Sequence, residues 1–465
     1  MASSRGPILA KTYQRYEPTQ SFLLPPSLDD WLPEEHLARF VGEAIDAIDL
    51  TPIYEYYERE ERGYPPYHPL MMTKVLVYGY CTGTRSSRKL EQACVDQVPA
   101  RWLAAGQLPK HSAIGEYRRI HIDRLSHPFK EVLQLAQRAG LVKMATVALD
   151  GTKMKANAAL DQNRKLDDLK REDEELTKIV KKILEEAEAV DKAEDELYGK
   201  DVNPWTLPQG LRTKKERLER IRQIKAELER EQREAHDAFE KKQAERKDRE
   251  EREGKKIRGR KPKPPPEEPA TKRNLTDPES RIMTTKDGSY LQAYNAQAAV
   301  DTDSLIIVAN LVTQDANDQH QQNPMLDAMH ANTGTLPEKL VEDAGYWNVK
   351  EIEKTPMGVE LFVATTQDWK RRKELRDEGP PRGRIPTNAT LKERMERKLR
   401  TKNGHAVYKL RSQTIEPTFG RIKEDQGMRG FLLRGLRKVA GEWDLATTAA
   451  NLKRMWRLGT TIPAA

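Results

Sequence analysis

Three acidic residues are predicted to lie at the ends of structural elements, where they could act as catalytic groups or bind a metal ion. Asp150 follows an apolar run in VALDGTKMKA (147–156), and Asp343 lies in KLVEDAGYW (339–347). Both apolar runs are typical of buried strands, and we predict that each strand ends at its acid. Ligands of α/β proteins bind at strand ends, so these acids are candidates for a shared site.

Two carboxylates at neighbouring strand ends would repel each other and require a partner. Unit charges about 4 Å apart repel by about 4 kcal/mol at an effective dielectric constant near 20. Such a pair persists with a shared proton or a bound cation. Mg²⁺ fits best, because it takes one or two carboxylates and completes its shell with water and substrate phosphate. Either aspartate alone could instead be a cap or turn residue.

A third acid, Glu416, precedes Pro417 in YKLRSQTIEPTFGRIKED. Proline is tolerated in the first turn of a helix, which predicts that Glu416 lies near a helix start. Lys423 follows seven residues later on the same helical face and could reach a phosphate bound beside Glu416. Glu424 and Glu442 are weaker candidates for the third acid. An ordinary exposed helix with an ion pair would explain the segment equally well.

Residues 1–140 contain several short helical patterns separated by turns, which predict an all-α N-terminal domain. HPLMMTKVLVYGYCTG, SSRKLEQACV and PKHSAIGEYRRIH are its clearest helices. The arrangement permits a DNA-binding helix-turn-helix, although a helical bundle has the same sequence pattern. Residues 141–160 then hold the first predicted strand.

Residues 161–280 differ from the rest of the chain by carrying heptad repeats. Apolar residues recur at every seventh position, at Leu169, Leu176, Ile183, Val190 and Leu197, and a second run follows through Leu211, Leu218, Ile221, Leu228 and Ala235. These patterns predict an antiparallel coiled-coil hairpin, or a seam between two chains. A basic, proline-rich linker ends the segment.

Strand patterns return in residues 281–465, with a predicted hairpin over 290–313, a helix over 321–333, strands at 339–347 and 360–365, and helices thereafter. The charged helical segment therefore interrupts one α/β domain after its first strand. We predict an α/β fold with a mixed sheet, an inserted α-helical hairpin and a preceding all-α domain.

Composition indicates a protein with a basic surface. The net charge is +8, 37% of residues are hydrophobic and 33% are charged. Residues 366–465 hold 24 Lys and Arg against 11 Asp and Glu, which favours a phosphate-facing surface over a merely soluble one. Cys81 and Cys94 fit no metal pattern, and no histidine spacing predicts zinc. Neither a signal peptide nor a membrane-spanning run is found, so we expect a cytoplasmic location.

These motifs together resemble the DDE transposases of bacterial insertion sequences, in the branch with a Tyr–Arg–Glu–Lys signature. VALDGTKMKANA resembles the first catalytic strand, EDAGYW the second-acid motif and NAQAAVD the hairpin that follows the insertion. The signature corresponds to Tyr408, Arg411, Glu416 and Lys423. Four residues separate Arg411 from Glu416, one more than in the usual signature.

The resemblance implies a ribonuclease H-like sheet in which Asp150, Asp343 and Glu416 hold two Mg²⁺ ions, with Mn²⁺ as a substitute. It further implies that Tyr408, Arg411 and Lys423 bind DNA phosphates, and that the basic stretch 369–384 follows the bound DNA. The implied partners are double-stranded DNA, both element ends and target, and a second copy of the chain in a homodimer.

Two other functions are compatible with the same residues. A related nuclease would use the same acids to cut DNA without joining it. A catalytically inactive, DNA-binding coiled-coil interaction protein would use only the helical segments. The presence of all three acids argues against the inactive protein, since it would have no use for them.

Overall fold

The computed structural model describes residues 27–59, 65–198, 209–254, 263–265, 272–285, 287–379 and 381–462. Within these residues, seven α-helices precede the first strand: α1 (Leu37–Asp46), α2 (Thr51–Tyr57), α3 (Pro69–Thr82), α4 (Ser87–Asp96), α5 (Val98–Leu103), α6 (His111–Ile120) and α7 (Ser126–Arg138). Helix α3 starts with a proline, which needs no hydrogen-bond partner there, and ends before Gly83, whose φ of 80° is left-handed. The three helices predicted most clearly in this region are confirmed as α3, α4 and α6.

A mixed sheet forms the centre of the protein. Its strands are β1 (Thr146–Lys155), β4 (Arg281–Thr284), β5 (Tyr290–Asp301), β6 (Ile307–Thr313), β7 (Lys339–Glu342) and β8 (Glu360–Val363). The order is β4-β5-β1-β7-β8, and β6 also pairs with β5. Strand β5 runs antiparallel to β1 and β6, whereas β7 is parallel to both β1 and β8. The predicted hairpin is confirmed as β5 and β6, and the α/β class is confirmed with it.

The expectation that β1 ends at Asp150 is wrong. The strand continues to Lys155, because β5 pairs with β1 along its whole length, from Val147 opposite Asp301 to Lys155 opposite Ala293. Antiparallel hydrogen bonds thus hold the chain extended beyond the acid. The parallel partner β7 stops earlier, at Glu342, which is paired with Leu149. Asp150 therefore has a strand neighbour on the β5 side only.

Further helices follow the β5–β6 hairpin: α10 (Gln322–Thr333), α11 (Val349–Glu353), α12 (Trp369–Asp377), α13 (Leu391–Arg400), α14 (Lys402–Glu424) and α15 (Leu436–Arg457). Helix α14 packs on β1, β7 and β8, and α15 packs on β6, α3 and α7. One continuous hydrophobic core therefore joins the N-terminal helices to the sheet. The predicted helical character of the C-terminal region is confirmed.

Two long helices, α8 (Leu166–Tyr198) and α9 (Gln209–Glu253), occupy the segment between β1 and β4. They pack on each other within the chain, with Leu169 of α8 buried beside Ile221 and Leu228 of α9. The two-residue strands β2 (Asn163–Arg164) and β3 (Arg273–Asn274) pair at the base of this helical pair. The side chains of Val190, Leu197 and Leu211 lie outside the described residues.

The two cysteines lie in the hydrophobic core. Cys81 and Cys94 are buried and free, and burial raises the pKa of Cys81 to about 12 and that of Cys94 to about 11. Such thiols are packing residues rather than nucleophiles.

In the part of the chain that the structure describes, no helix has the length and apolar character needed to cross a membrane.

Candidate active site

Asp150 lies on β1, and Asp343 directly follows the neighbouring strand β7. The parallel pairing of β1 with β7 matches Leu149 with Glu342, and the next residue along each strand direction is an aspartate. Burial and the charge of Asp343 together raise the pKa of Asp150 to about 6. The two carboxylates predicted to share a site are therefore brought close enough to repel each other.

Arg411 of α14 partly neutralises this pair. Its guanidinium lies 2.7 Å from Oδ2 of Asp150, and both side chains are largely buried. The backbone N–H of Gly151 donates to Oδ1 of the same carboxylate at 2.9 Å. Both interactions favour the ionised carboxylate and oppose the rise in its pKa. Asp150 is thus a largely buried acid that lies between an attractive arginine and a repulsive aspartate.

A further acid, Asp318, approaches the site from the other face of the sheet. Its Oδ1 accepts hydrogen bonds from Asn295 (2.7 Å) and Gln297 (2.6 Å), which are paired in register with Lys153 and Gly151. Alternation along β1 and β5 places those two amides on the face opposite Asp150. Asp318 still adds to the rise in the pKa of Asp150. No pattern in the sequence singles it out, since it lies in the polar loop after β6.

Gly151 makes that approach possible. A Cβ atom at this residue would lie 2.5 Å from Oδ1 of Asp318 and 2.8 Å from Oδ1 of Asn295, so the carboxylate occupies the space that a side chain would fill. The glycine that interrupts the apolar pattern of β1 thus permits a close approach rather than ending the strand.

Glu342 is a second buried acid that sequence reasoning did not identify. It is fully buried on β7, and neither of its carboxylate oxygens has a hydrogen-bond partner. Burial, with the charges of Asp343 and Asp318, raises its pKa well above the ordinary value. The nearby Tyr346 is also fully buried and donates its hydroxyl hydrogen to Gln297. The carboxyl end of β7 is therefore rich in acids on both faces of the sheet.

Glu416 lies in the middle of α14, so the expectation of a helix start there is wrong. Pro417 is accommodated inside the helix. The carbonyl of Gln413, which loses its partner, lies on the solvent-exposed side, where water can replace the missing hydrogen bond. Glu416 is exposed, about one and a half turns beyond Arg411, and its charge favours the charged form of that arginine.

Lys423 and Tyr408 lie on the same helix as Glu416. The Lys423 ammonium donates to the hydroxyl of Thr152 at 2.6 Å, and Thr152 shares a strand face with Asp150. Tyr408 lines a groove of about 580 Å³ beside the end of β8. Tyr408 and Arg411 also line a shallow depression on the surface of the same helix, together with His405, Lys409 and Ser412.

The two weaker candidates for the third acid lie elsewhere. Glu442 is fully buried and pairs with Arg85 of the N-terminal segment at 3.1 Å, while it accepts hydrogen bonds from the backbone of Leu432 and Leu433. Glu424 is exposed and pairs with Arg429 at 2.6 Å. Glu442 therefore stabilises the packing of α15, and Glu424 lies on the solvent-exposed surface.

The carboxylate oxygens of the site suit a hard cation such as Mg²⁺, although the three predicted acids do not come together around one point. Asp150 and Asp343 supply carboxylate oxygens, which Mg²⁺ prefers, and their repulsion would be relieved by a cation. Within the described ranges, no three His, Cys, Asp or Glu side chains are grouped so that they could hold a metal ion. Glu416 thus stands apart from the two aspartates in this arrangement, and Arg411 holds the position beside Asp150.

Comparison with protein families gives two matches. A family described as a transposase domain matches residues 26–119, which include α1 to α5. A family described as a transposase DDE domain matches residues 381–456, which include α13, α14 and most of α15. Searches of curated proteins and of solved structures found no match.

Proposed function

We propose that this chain, which belongs to the DDE transposases of insertion sequences, binds the ends of its element and catalyses metal-dependent cleavage and strand transfer of DNA. The observation that carries the proposal is that Asp150 and Asp343 directly follow Leu149 and Glu342, the last residues paired between the adjacent parallel strands β1 and β7. Arg411 reaches that pair from the helix that bears Glu416, within the segment that matches the DDE domain.

The order of the strands supports a ribonuclease H-like sheet. Three antiparallel strands, β6, β5 and β1, are followed in space by the parallel strands β7 and β8. The first acid lies on the central strand and the second directly after its parallel neighbour. The insertion then lies between the first strand of this sheet and its hairpin, as the sequence patterns indicated.

The family generally uses divalent metal ions, and the oxygen donors fit Mg²⁺, with Mn²⁺ as a substitute. Asp150, Asp343 and Glu416 would hold two ions, and bound ions would activate the attacking hydroxyl and stabilise the leaving oxygen. Because three acids do not converge in the described structure, Glu416 would join the site only after a movement of its side chain or of α14.

The chain's own residues would bind and orient the DNA. Arg411 pairs with Asp150 here and would transfer to a DNA phosphate when a cation neutralises that carboxylate. Lys423 and Tyr408 would bind phosphates on either side of the scissile bond, and the basic segment 369–384 would extend the contact. In-line attack at phosphorus needs no covalent protein intermediate, so no Ser or Tyr nucleophile is invoked.

The test is cleavage of a plasmid that carries the gene with its native flanks, with Mg²⁺ or Mn²⁺. We compare the wild type with Asp150→Asn, Asp343→Asn and Glu416→Gln, and use Glu424→Gln as the matched control because it is an exposed acid of the same helix. We expect cleavage at the element ends to fall at least ~100-fold in the three site variants and to persist in the control.

The other outcomes separate the alternatives. Cleavage without joined products would identify a nuclease. DNA binding by the wild type without cleavage under either metal would favour the inactive DNA-binding protein. Loss of DNA binding in the site variants would show that these acids are structural rather than catalytic.

A further inference from the structure

A second charged feature lies away from the aspartate pair, in a cleft between the C-terminal ends of α14 and α15. Four cationic side chains and one acid line it, together with Thr418 and apolar residues of the β5–β6 turn: Arg421, Lys453, Arg454, Arg457 and Asp425. Such a concentration of like charge requires an explanation, because each cation raises the cost of the others.

The partners within the protein neutralise only part of this charge. Asp425 lies 2.8 Å from Arg457 and 4.0 Å from Lys453. Arg454 donates to the carbonyl of Ser304 at 2.7 Å, and Arg421 to that of Pro417 at 3.2 Å. Carbonyls accept hydrogen bonds but carry no net charge. Burial, and then the other arginines of the cleft, lower the pKa of Arg421 and of Arg454.

The C-terminal ends of the two helices offset a further part of the positive charge, but not all of it. Cations are common in the last turn of helices, because each C-terminus carries the equivalent of about half a negative charge. Helix α14 ends at Glu424 and α15 at Arg457, so both ends lie at the cleft. Two helix ends and Asp425 offset roughly two of the four positive charges. An excess of about two charges is left for an anion.

The shape of the cleft favours a group at its mouth. Its interior offers about 20 Å³, which is enough for a single water molecule, whereas the volume including the open mouth is about 350 Å³. A free phosphate ion would not be enclosed on all sides. A phosphodiester could place its two charged oxygens against the arginines while the strand continues on either side.

The cleft is also placed to act together with the aspartate pair. Arg421 lies ten residues beyond Arg411 on α14, or about 15 Å along the helix, which corresponds to roughly four base-pair steps of DNA. On its other side, Lys453 donates to the carbonyl of Cys81 at the end of α3. The cleft therefore lies where α3 of the N-terminal segment meets α15.

We propose that Arg421, Arg454 and Arg457 form a second DNA phosphate site, which holds the duplex backbone apart from the cleavage centre. The inference rests on the proposed function, because the ligand is the DNA on which the aspartate pair acts. It assigns to the junction of α3, α14 and α15 a positioning role that is independent of base sequence.

The experiment measures DNA affinity of the full chain against salt. A duplex of roughly three helical turns and arbitrary sequence is titrated by fluorescence anisotropy at several KCl concentrations. The double variant Arg421→Gln/Arg457→Gln is compared with Arg437→Gln/Lys438→Gln, which removes the same charge from exposed residues at the start of α15. Thermal unfolding of all three proteins is recorded, as is their response to inorganic phosphate.

We expect the cleft variant to bind DNA about 10- to 100-fold more weakly than the wild type. The slope of log K against log[KCl] should become shallower by about one unit for each DNA phosphate that the variant no longer binds, and the control should change less. Equal behaviour of cleft variant and control would overturn the inference. A lower melting temperature with an unchanged salt slope would also overturn it, since it would show helix-end stabilisation only.

Two outcomes separate this inference from the proposed function. If the wild type binds no DNA, the proposed function fails and the phosphate assignment fails with it. If inorganic phosphate stabilises the wild type but not the cleft variant, while both bind DNA equally, the cleft is a site for a free anion and only the DNA assignment is overturned.

Discussion

At the scale of single residues, the site depends on the close approach of the Asp318 carboxylate to the backbone of β1 at Gly151. Asp318 occupies the space beside Gly151 that any side chain would fill, and its charge acts on Asp150 through that gap. Asn295 and Gln297 hold Asp318 in place. The identity of residue 151 therefore decides whether the acids of the two faces can lie close together.

Gly151→Ala should lower the free energy of unfolding by about 1–3 kcal/mol, because the new methyl group would overlap the carboxylate of Asp318. Gly420→Ala is the matched control, since a Cβ there meets nothing within 4 Å and α14 is helical. We expect the control to be stabilised by about 0.5–1 kcal/mol. Urea unfolding of both variants measures the difference, and a similar change in both would contradict this account.

Asp444 gives a pH dependence at a residue outside the site. Burial raises its pKa to about 7, so the native state binds its proton more tightly than the unfolded chain does. The stability of the wild type should therefore fall as pH rises from about 4 through 7. Asp444→Asn does not titrate, and it should gain about 1–2 kcal/mol relative to the wild type between pH 5 and pH 8.

Urea unfolding at the two pH values tests this expectation. Asp303→Asn serves as the control, because Asp303 is exposed in the β5–β6 turn. The same pH-dependent gain in both variants would show that the effect does not come from Asp444.

At the scale of elements, α15 joins the N-terminal helices to the sheet through a buried ion pair. Arg85 contacts Glu442 at 3.1 Å and also donates to the carbonyls of Gly427 and Gly430 in the loop before α15. Glu442 is fully buried. When an ion pair is buried this deeply, replacing both charged residues by apolar ones costs the protein less stability than replacing only one of them.

Arg85→Met should lower the free energy of unfolding by about 3–5 kcal/mol, because it removes the cation in direct contact with the buried Glu442 carboxylate. The double variant Arg85→Met/Glu442→Met should recover part of this loss. Chemical denaturation of the two single variants and the double variant measures the coupling. Additive losses would mean that the pair contributes through packing rather than charge.

At the scale of the whole molecule, we expect the helical pair α8 and α9 to be separable from the sheet. The chain enters and leaves it through β2 and β3, where Asn163 is paired with Asn274. The two ends are therefore adjacent, and a short linker can join them. Most of the core of the insertion lies between its own two helices.

Replacing residues 165–270 with a short Gly/Ser linker should leave the sheet folded and impair assembly on DNA. We expect cooperative thermal unfolding within about 5 °C of the wild type, since the main core is unchanged. Light scattering of the complex with element-end DNA measures the assembly. Normal assembly and transposition in this variant would remove the helical pair from the mechanism.

The sequence alone was enough to predict most of the elements and to single out two aspartates that lie close together in the fold. Apolar periodicity located the N-terminal helices, the β5–β6 hairpin and the inserted helical pair, because these patterns depend on neighbours in the chain. The same logic identified Asp150 and Asp343, since each follows an apolar run. The two family matches include the N-terminal helices and the Tyr408–Lys423 signature, whereas the motifs around Asp150 and Asp343 lie outside the matched residues.

Only the tertiary structure decided which residues meet. The strand after Asp150 continues because β5, more than 130 residues away, pairs with it. Pro417 lies inside α14, where Gln413, whose carbonyl loses its helical partner, is exposed to solvent and the helix packs on the sheet. Asp318, Glu342 and the role of Glu442 depend on contacts between distant segments. Local patterns carry no information about such contacts, because pairing across the fold is set by packing of the whole chain.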